Sequence, residues 1–151
     1  MTADWLPLTA AQRGIYFAHQ LDPASPAYST AEVVEIDGAL DPAGLQSALA
    51  SVYAEHEQLR TVFRDTADGP RQAVRPSSAA LRLVDLRTEA DPAAAAAAVL
   101  DADLEQPLDL TSGPVVRTAL LRLGDRRWWW YHCAHHVVLD GFGFAQFARR
   151  V

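Results

Sequence analysis

The sequence predicts an α/β (α+β) two-layer sandwich built around a mixed β-sheet. Three observations carry that expectation. Helical and strand-like patterns are interspersed along the chain rather than segregated, the strand-like runs come at hairpin spacing with turn signals between them, and the composition is 50% hydrophobic and 21% charged. A chain of 151 residues buries about two-thirds of its surface on folding, which suits one domain over 1–151. No fixed-period repeat or interdomain linker is visible.

Thr9-Ala10-Ala11-Gln12 has the form of a capping box, and Ile15, Phe17 and Ala18 continue an apolar pattern, so a first helix is expected from about Ala10 to Gln20, ended by Pro23 and Pro26. Residues Ala31 to Ile36 are β-branched enough for a strand, closed by Asp37-Gly38. Asp41-Pro42 and Asp91-Pro92 each set a capping carboxylate before a proline at the first helical position. The first opens a helix with Leu45, Leu49, Val52 and Tyr53 on one face; the second opens an alanine-rich helix. Between them lie strand-like runs at Leu59 to Arg64, Arg71 to Arg75 and Leu81 to Leu86, the first two separated by Asp68-Gly69. Val115 to Leu123 and Arg127 to Ala134 read as a further hairpin across Gly124-Asp125-Arg126. From Phe142 a last helix begins that Val151 cuts short, with Phe142, Phe144 and Phe147 all seeking burial; this suggests a fragment.

Charge and composition exclude several functions. The net charge is -6, which gives no electrostatic footprint for nucleic acid. All 13 basic residues are arginine, so neither a Schiff base nor a phosphate-loop lysine is available. Cys133 is the single cysteine, which excludes an internal disulfide and fits a reducing cytoplasm. Neither a signal peptide nor an apolar run of membrane-spanning length is present, so no membrane partner is expected.

Chemistry concentrates near the C-terminus, where Trp128-Trp129-Trp130-Tyr131 leads through His132-Cys133-Ala134 into His135-His136 and then Asp140-Gly141. Strand alternation puts His136 on one side with Trp130 and His132, and His135 on the other with Trp129, Tyr131 and Cys133. Diverging imidazoles are poor chelators of one metal, and no zinc spacing is matched. Two hydrogen-bonded core histidines are the plain alternative. Asp140 and Gly141 favour chemistry, because an acid can join a polar network that fixes a base, and a glycine lets backbone come close to a ligand. Gly141-Phe142-Gly143 is not a dinucleotide-binding turn, since Gln146 stands where a third small residue belongs.

His135 to Gly141 resembles the HHxxxDG signature of nonribosomal peptide synthetase condensation domains, within the chloramphenicol acetyltransferase-like superfamily. Two further segments resemble that family in order: Leu8 to Tyr16 its N-terminal signature, and His56 to Phe63 its HExLRTxF segment. The aromatic strand and Asp140-Gly141-Phe142 are most similar to siderophore-type domains whose donor is an aryl acid. Two positions depart from the pattern: Glu55 stands where an arginine is usual, and Gly143 where a serine is common.

The resemblance implies the N-terminal lobe of a two-lobed fold, with the C-terminal lobe absent. It implies amide formation between a donor thioester and an acceptor aminoacyl thioester, both carried on the phosphopantetheine of carrier proteins, with no cofactor bound directly. His136 would be catalytic, taking the amine proton or orienting the amine; His135 and Asp140 would be structural; the Gly141 amide would face the oxyanion. Arg60 is expected to pair with Asp140. Implied partners are an upstream donor carrier protein, a downstream acceptor carrier protein and an adenylation domain. With the first motif so close to Met1 the donor is expected in trans, docking on arginines such as Arg13, Arg149 and Arg150. A catalytically idle interface module recruiting a carrier protein or tailoring enzyme is the leading alternative, and an epimerisation domain a third.

Overall fold

The computed structural model describes residues 4–76 and 79–151. In chain order the elements are β1 (Leu6–Pro7), α1 (Ala10–Leu21), β2 (Ser29–Asp37), α2 (Pro42–Glu55), a 3₁₀ turn (Glu57–Arg60), β3 (Thr61–Thr66), β4 (Gly69–Val74), β5 (Leu81–Asp85), α3 (Pro92–Leu104), β6 (Val116–Arg122), β7 (Arg127–His135) and α4 (Gly141–Arg150). The strands form two sheets. One is antiparallel in the order β1-β4-β3, and the other is mixed in the order β2-β7-β6-β5. The mixed character arises from β5 and β6, which run parallel because α3 carries the chain between them.

The helix starts follow from the caps in the sequence. Thr9 and Gln12 close a reciprocal box on α1, Asp41 accepts from the Ala43 amide on α2, and Asp91 accepts from Ala93 and Ala94 on α3. The β3–β4 hairpin turns at Gly69, whose φ of +95° favours a residue without a side chain. No described helix is long and apolar enough to cross a membrane.

β7 organises the core. It pairs with β2 from Arg127 to His135 and with β6 from Trp128 to Ala134, so it lies inside the sheet. Its two faces then enter different cores. Trp128, Trp130 and Ala134 join the apolar faces of α2 and α4, including Leu49, Phe144 and Phe147. Tyr131 and Cys133 pack with Ala96 and Leu100 of α3. Burying side chains of the size of Phe144 or Leu120, both fully enclosed, contributes roughly 1.5–3 kcal/mol each.

Two expectations need correction, and a third feature was not anticipated. The strand expected from Leu59 begins only at Thr61, because Glu57–Arg60 stays coiled. Arg60 folds back there, its Nε 2.7 Å from the Tyr53 carbonyl and one Nη 3.2 Å from that of Ala54. A guanidinium thereby satisfies carbonyls that the last turn of α2 leaves without helical partners. Secondly, Phe142 is not buried with its neighbours but is 74% exposed, since α4 turns only Phe144 and Phe147 inward. Thirdly, β1 and the outer residues of β2 carry no periodic pattern long enough to predict, and they are held by pairing with β4 and β7.

Candidate active site at the β7–α4 turn

The histidine motif spans the end of β7 and the entry to α4. β7 stops at His135, so His136 is the first residue of a turn and the strand alternation used to place it does not extend that far. The turn is tied by backbone bonds on both sides of His136. His135 donates to the Val115 carbonyl at 3.1 Å, His136 donates to that of Tyr28 at 2.8 Å, and Val138 and Leu139 donate back to the His135 carbonyl. The His135 side chain adds a further clasp, its Nδ1 accepting the Val137 amide at 3.1 Å. The residues flanking His136 are thus linked to each other through one imidazole.

That geometry fixes a tautomer. An Nδ1 that accepts an amide proton carries none of its own, so the proton of neutral His135 sits on Nε2. Nε2 lies 3.3 Å from Nδ1 of His19, on α1, with the two rings edge to face at 4.9 Å. His135 and His19 are both buried. Burial, with His19 and His136 as lesser contributors, pushes the His135 pKa down to about 4. Burial lowers that of His19 as well, against the opposing pull of Asp109 and Asp22. Both rings are therefore neutral where amide chemistry would run.

His136 differs from both. It is half-buried, and among the described residues its imidazole makes no hydrogen bond. A ring on a pinned backbone, with its nitrogens uncommitted, is disposed to meet a substrate. His132, by contrast, is fully enclosed by Trp130, Phe144 and Phe147, with Phe144 stacked at 5.5 Å. Its Nε2 is 3.4 Å from a Glu32 carboxylate oxygen, yet neither ring nitrogen makes a hydrogen bond. Burial outweighs Glu32 and lowers its pKa. His132 is thus a neutral core residue rather than half of an ion pair.

Asp140 is exposed and caps α4, its Oδ1 accepting the Gly143 amide at 2.7 Å. The Arg60–Asp140 ion pair expected from the sequence is not formed: Arg60 is committed to α2, and Asp140 to α4. The departure at Glu55 has its own partner, Arg150, at 3.4 Å across the surface between α2 and α4. Gly141 opens α4, and nothing lies within 4 Å of where its Cβ would stand, so a ligand can approach this backbone closely. At Gly143 a Cβ would meet Leu139 Cδ2 at 2.9 Å and Asp140 Oδ1 at 3.3 Å. A serine there would require only the end of the flexible Leu139 side chain to shift, so the structure gives no reason for glycine.

A well-formed cavity lies elsewhere. About 470 Å³ lies between β3 and the start of β6, reached by Arg60, Arg75, Arg82 and Arg117, and His136 does not line it. Arg117 is already committed to Asp103, at 3.1 Å, and to three carbonyls. Among the described residues no cluster of three or more His, Cys, Asp or Glu could hold a metal ion.

Sequence reasoning missed His19 and Tyr28. His19 carried a usable signal, a polar residue three positions after Tyr16 on the inward face of α1. The Tyr28 carbonyl carried none, since any residue type offers the same acceptor.

A family model described as "Condensation domain" matches residues 2–150. The chain is 47% identical over 150 residues to an isonitrile lipopeptide synthase of Streptomyces coeruleorubidus, covering 98% of this chain and 10% of that protein. It is 43% identical over 145 residues to a dimodular nonribosomal peptide synthase of Bacillus subtilis, covering 95% and 6%, and 37% identical over 149 residues to enterobactin synthase component F of Escherichia coli, covering 97% and 12%. Among solved structures it resembles the starter condensation domain of rhizomide synthetase RzmA, with a TM-score of 0.92 and 40% identity, over 97% of this chain and 36% of that one. A mutant of that domain has been solved in complex with C8-CoA, and matches with a TM-score of 0.93 and the same identity over 97% of this chain and 34% of that one. The chain thus spans about a tenth or less of the first of these synthases and about a third of the solved domains.

Proposed function

The chain belongs to the condensation-domain family, and from that premise we propose that it is the N-terminal lobe of a domain that joins a donor thioester to an acceptor amine on carrier proteins. The observation that carries the reading is His136, an uncommitted imidazole on a backbone pinned from both sides. The acceptor amine attacks the donor carbonyl, a C–N bond forms, the C–S bond breaks, and the donor's phosphopantetheine leaves as thiol. His136 takes the amine proton or orients the amine for attack. The amide of Gly141, at the start of α4, stabilises the oxyanion. Holding two tethered substrates together supplies much of the acceleration, so no acyl-enzyme is required. His135 and Asp140 hold the turn and the helix that carry these groups, and Arg60 fastens β3 to α2 at one remove.

For the donor we propose an acyl or aryl group delivered by a carrier protein. Similarity to enterobactin synthase component F supports the aryl, siderophore-type form; similarity to a starter domain whose mutant binds C8-CoA supports a fatty acyl form. Arg13 and Arg149 are exposed and suited to an acidic carrier surface, whereas Arg150 already pairs with Glu55. The test is amide formation by the complete domain from donor and acceptor thioesters. Product is expected with the wild type and lost with His136→Ala. Product surviving that substitution would move the chemistry away from the turn.

A further inference from the structure

Among the described residues, one buried side chain on another element lies within hydrogen-bond distance of a polar atom of the histidine motif, and it is His19. We propose that His19 is a positioning residue for His136, acting through His135: by accepting the His135 Nε2 proton it holds that ring in the tautomer that clasps the Val137 amide. This rests on the reading of His136 given above. His135 Nδ1 is 3.1 Å from the Val137 amide nitrogen, and a proton on Nδ1 would point at another donor. The opposite nitrogen must then be protonated, and at 2% exposure it needs an acceptor inside the protein. His19 Nδ1 is that acceptor at 3.3 Å. Without it the Nε2 proton is buried and unpaired, and the ring gains by tautomerising or rotating, which releases Val137 and the turn that aims His136. Asp22 and Asp109 act electrostatically on His19, and His136 on His135; among the described residues the His135 ring bonds only His19 and the Val137 amide. The relay is therefore imidazole to imidazole.

Two-bond proton–nitrogen correlation spectra of the complete domain, labelled with ¹⁵N-histidine and assigned by substitution, read the tautomers directly. The expected result is His135 protonated on Nε2 alone and His19 with a bare Nδ1; His135 protonated on Nδ1 would overturn the proposal. His19→Leu removes the acceptor, whereas His19→Asn keeps an oxygen near the place of Nδ1. With His19→Leu, kcat should fall about tenfold with KM for either thioester within about twofold, and His19→Asn should recover to within about threefold of wild type. Equal rates in the two variants, or a loss confined to KM, would count against the relay. If a variant does not fold, the wild-type tautomers decide. Should the wild-type domain form no amide at all, the functional reading fails, while the spectra still test whether His19 sets the His135 tautomer.

Discussion

The β7–α4 turn and the cavity beside Arg60 handle polar groups in opposite ways. At the turn the backbone around His136 is committed: to Tyr28, to Val115 and to the His135 ring. In the cavity there is about 470 Å³, yet Arg60 and Arg117 along its wall are spent on carbonyls of neighbouring elements and on Asp103. The turn constrains backbone and leaves one side chain uncommitted; the cavity wall commits side chains to holding backbone. On the reading proposed for His136, constraint rather than volume marks the site, because a catalytic group must be aimed before it can act.

The comparison breaks most decisively at His136. His136→Ala should lower amide formation by the complete domain by about 10²- to 10⁴-fold, with the thermal midpoint little changed because, among the described residues, its half-buried imidazole makes no hydrogen bond. An unchanged rate together with a sensitive Arg60 or Arg82 would transfer the chemistry to the cavity.

His135→Ala should act mainly on folding. It leaves the Val137 amide without its acceptor, His19 without its donor, and a void where a 2% exposed ring stood. Denaturant unfolding should show a loss of about 2–4 kcal/mol.

Acid sharpens the same point without a mutation. The folded-state pKa of His135 is depressed to about 4, below the roughly 6.5 of an unfolded histidine. Between those values the unfolded chain binds a proton that the folded one refuses, so stability is full above pH 6.5 or so and is lost as pH falls toward 4. His19 and His132 are displaced in the same direction and add to the loss. Denaturant midpoints across that window should drop, with His135 supplying of the order of 2–3 kcal/mol. A flat profile through that window would mean that these rings are solvated.

The smallest effects are expected at Asp140 and Arg60. Asp140→Ala removes a helix cap and should cost about 1 kcal/mol, not the loss that follows from breaking a buried ion pair. Arg60→Ala removes bonds to the end of α2 and should cost a similar amount, about 1 kcal/mol. With no shared partner the double variant should be additive within about 0.5 kcal/mol. Strong coupling in that cycle would mean that the two side chains meet in solution.

What the sequence disclosed divides along the same line. The caps on α1, α2 and α3, the β3–β4 and β6–β7 hairpins and the position of the histidine motif were legible, because each rests on residues close together in the chain. The division into two sheets was not, since β1 meets β4 and β2 meets β7 only through long-range pairing. Among the candidate site residues, His136, Asp140 and Gly141 were indicated by their motif. The partner of Arg60 was misjudged because a guanidinium reaches many acceptors, and the carbonyls of a helix end leave no mark in the sequence. His19 was passed over for a similar reason, since its significance depends on a strand end far along the chain.

The place of β7 inside the mixed sheet has a consequence for the order in which the protein is made. Among the described residues β2 pairs with β7 alone, and Ser29 pairs with His135 itself. A nascent chain therefore carries β2 with neither edge satisfied until nearly all the residues described here have left the ribosome. Until then α2 also lacks β7 as a floor. Local hairpins and capped helices can form early, but closing so long a loop is slow and exposes apolar surface meanwhile. The aromatic run that ends in the histidines is the keystone of this sheet, and the turn after it takes shape only as β2 and β7 pair.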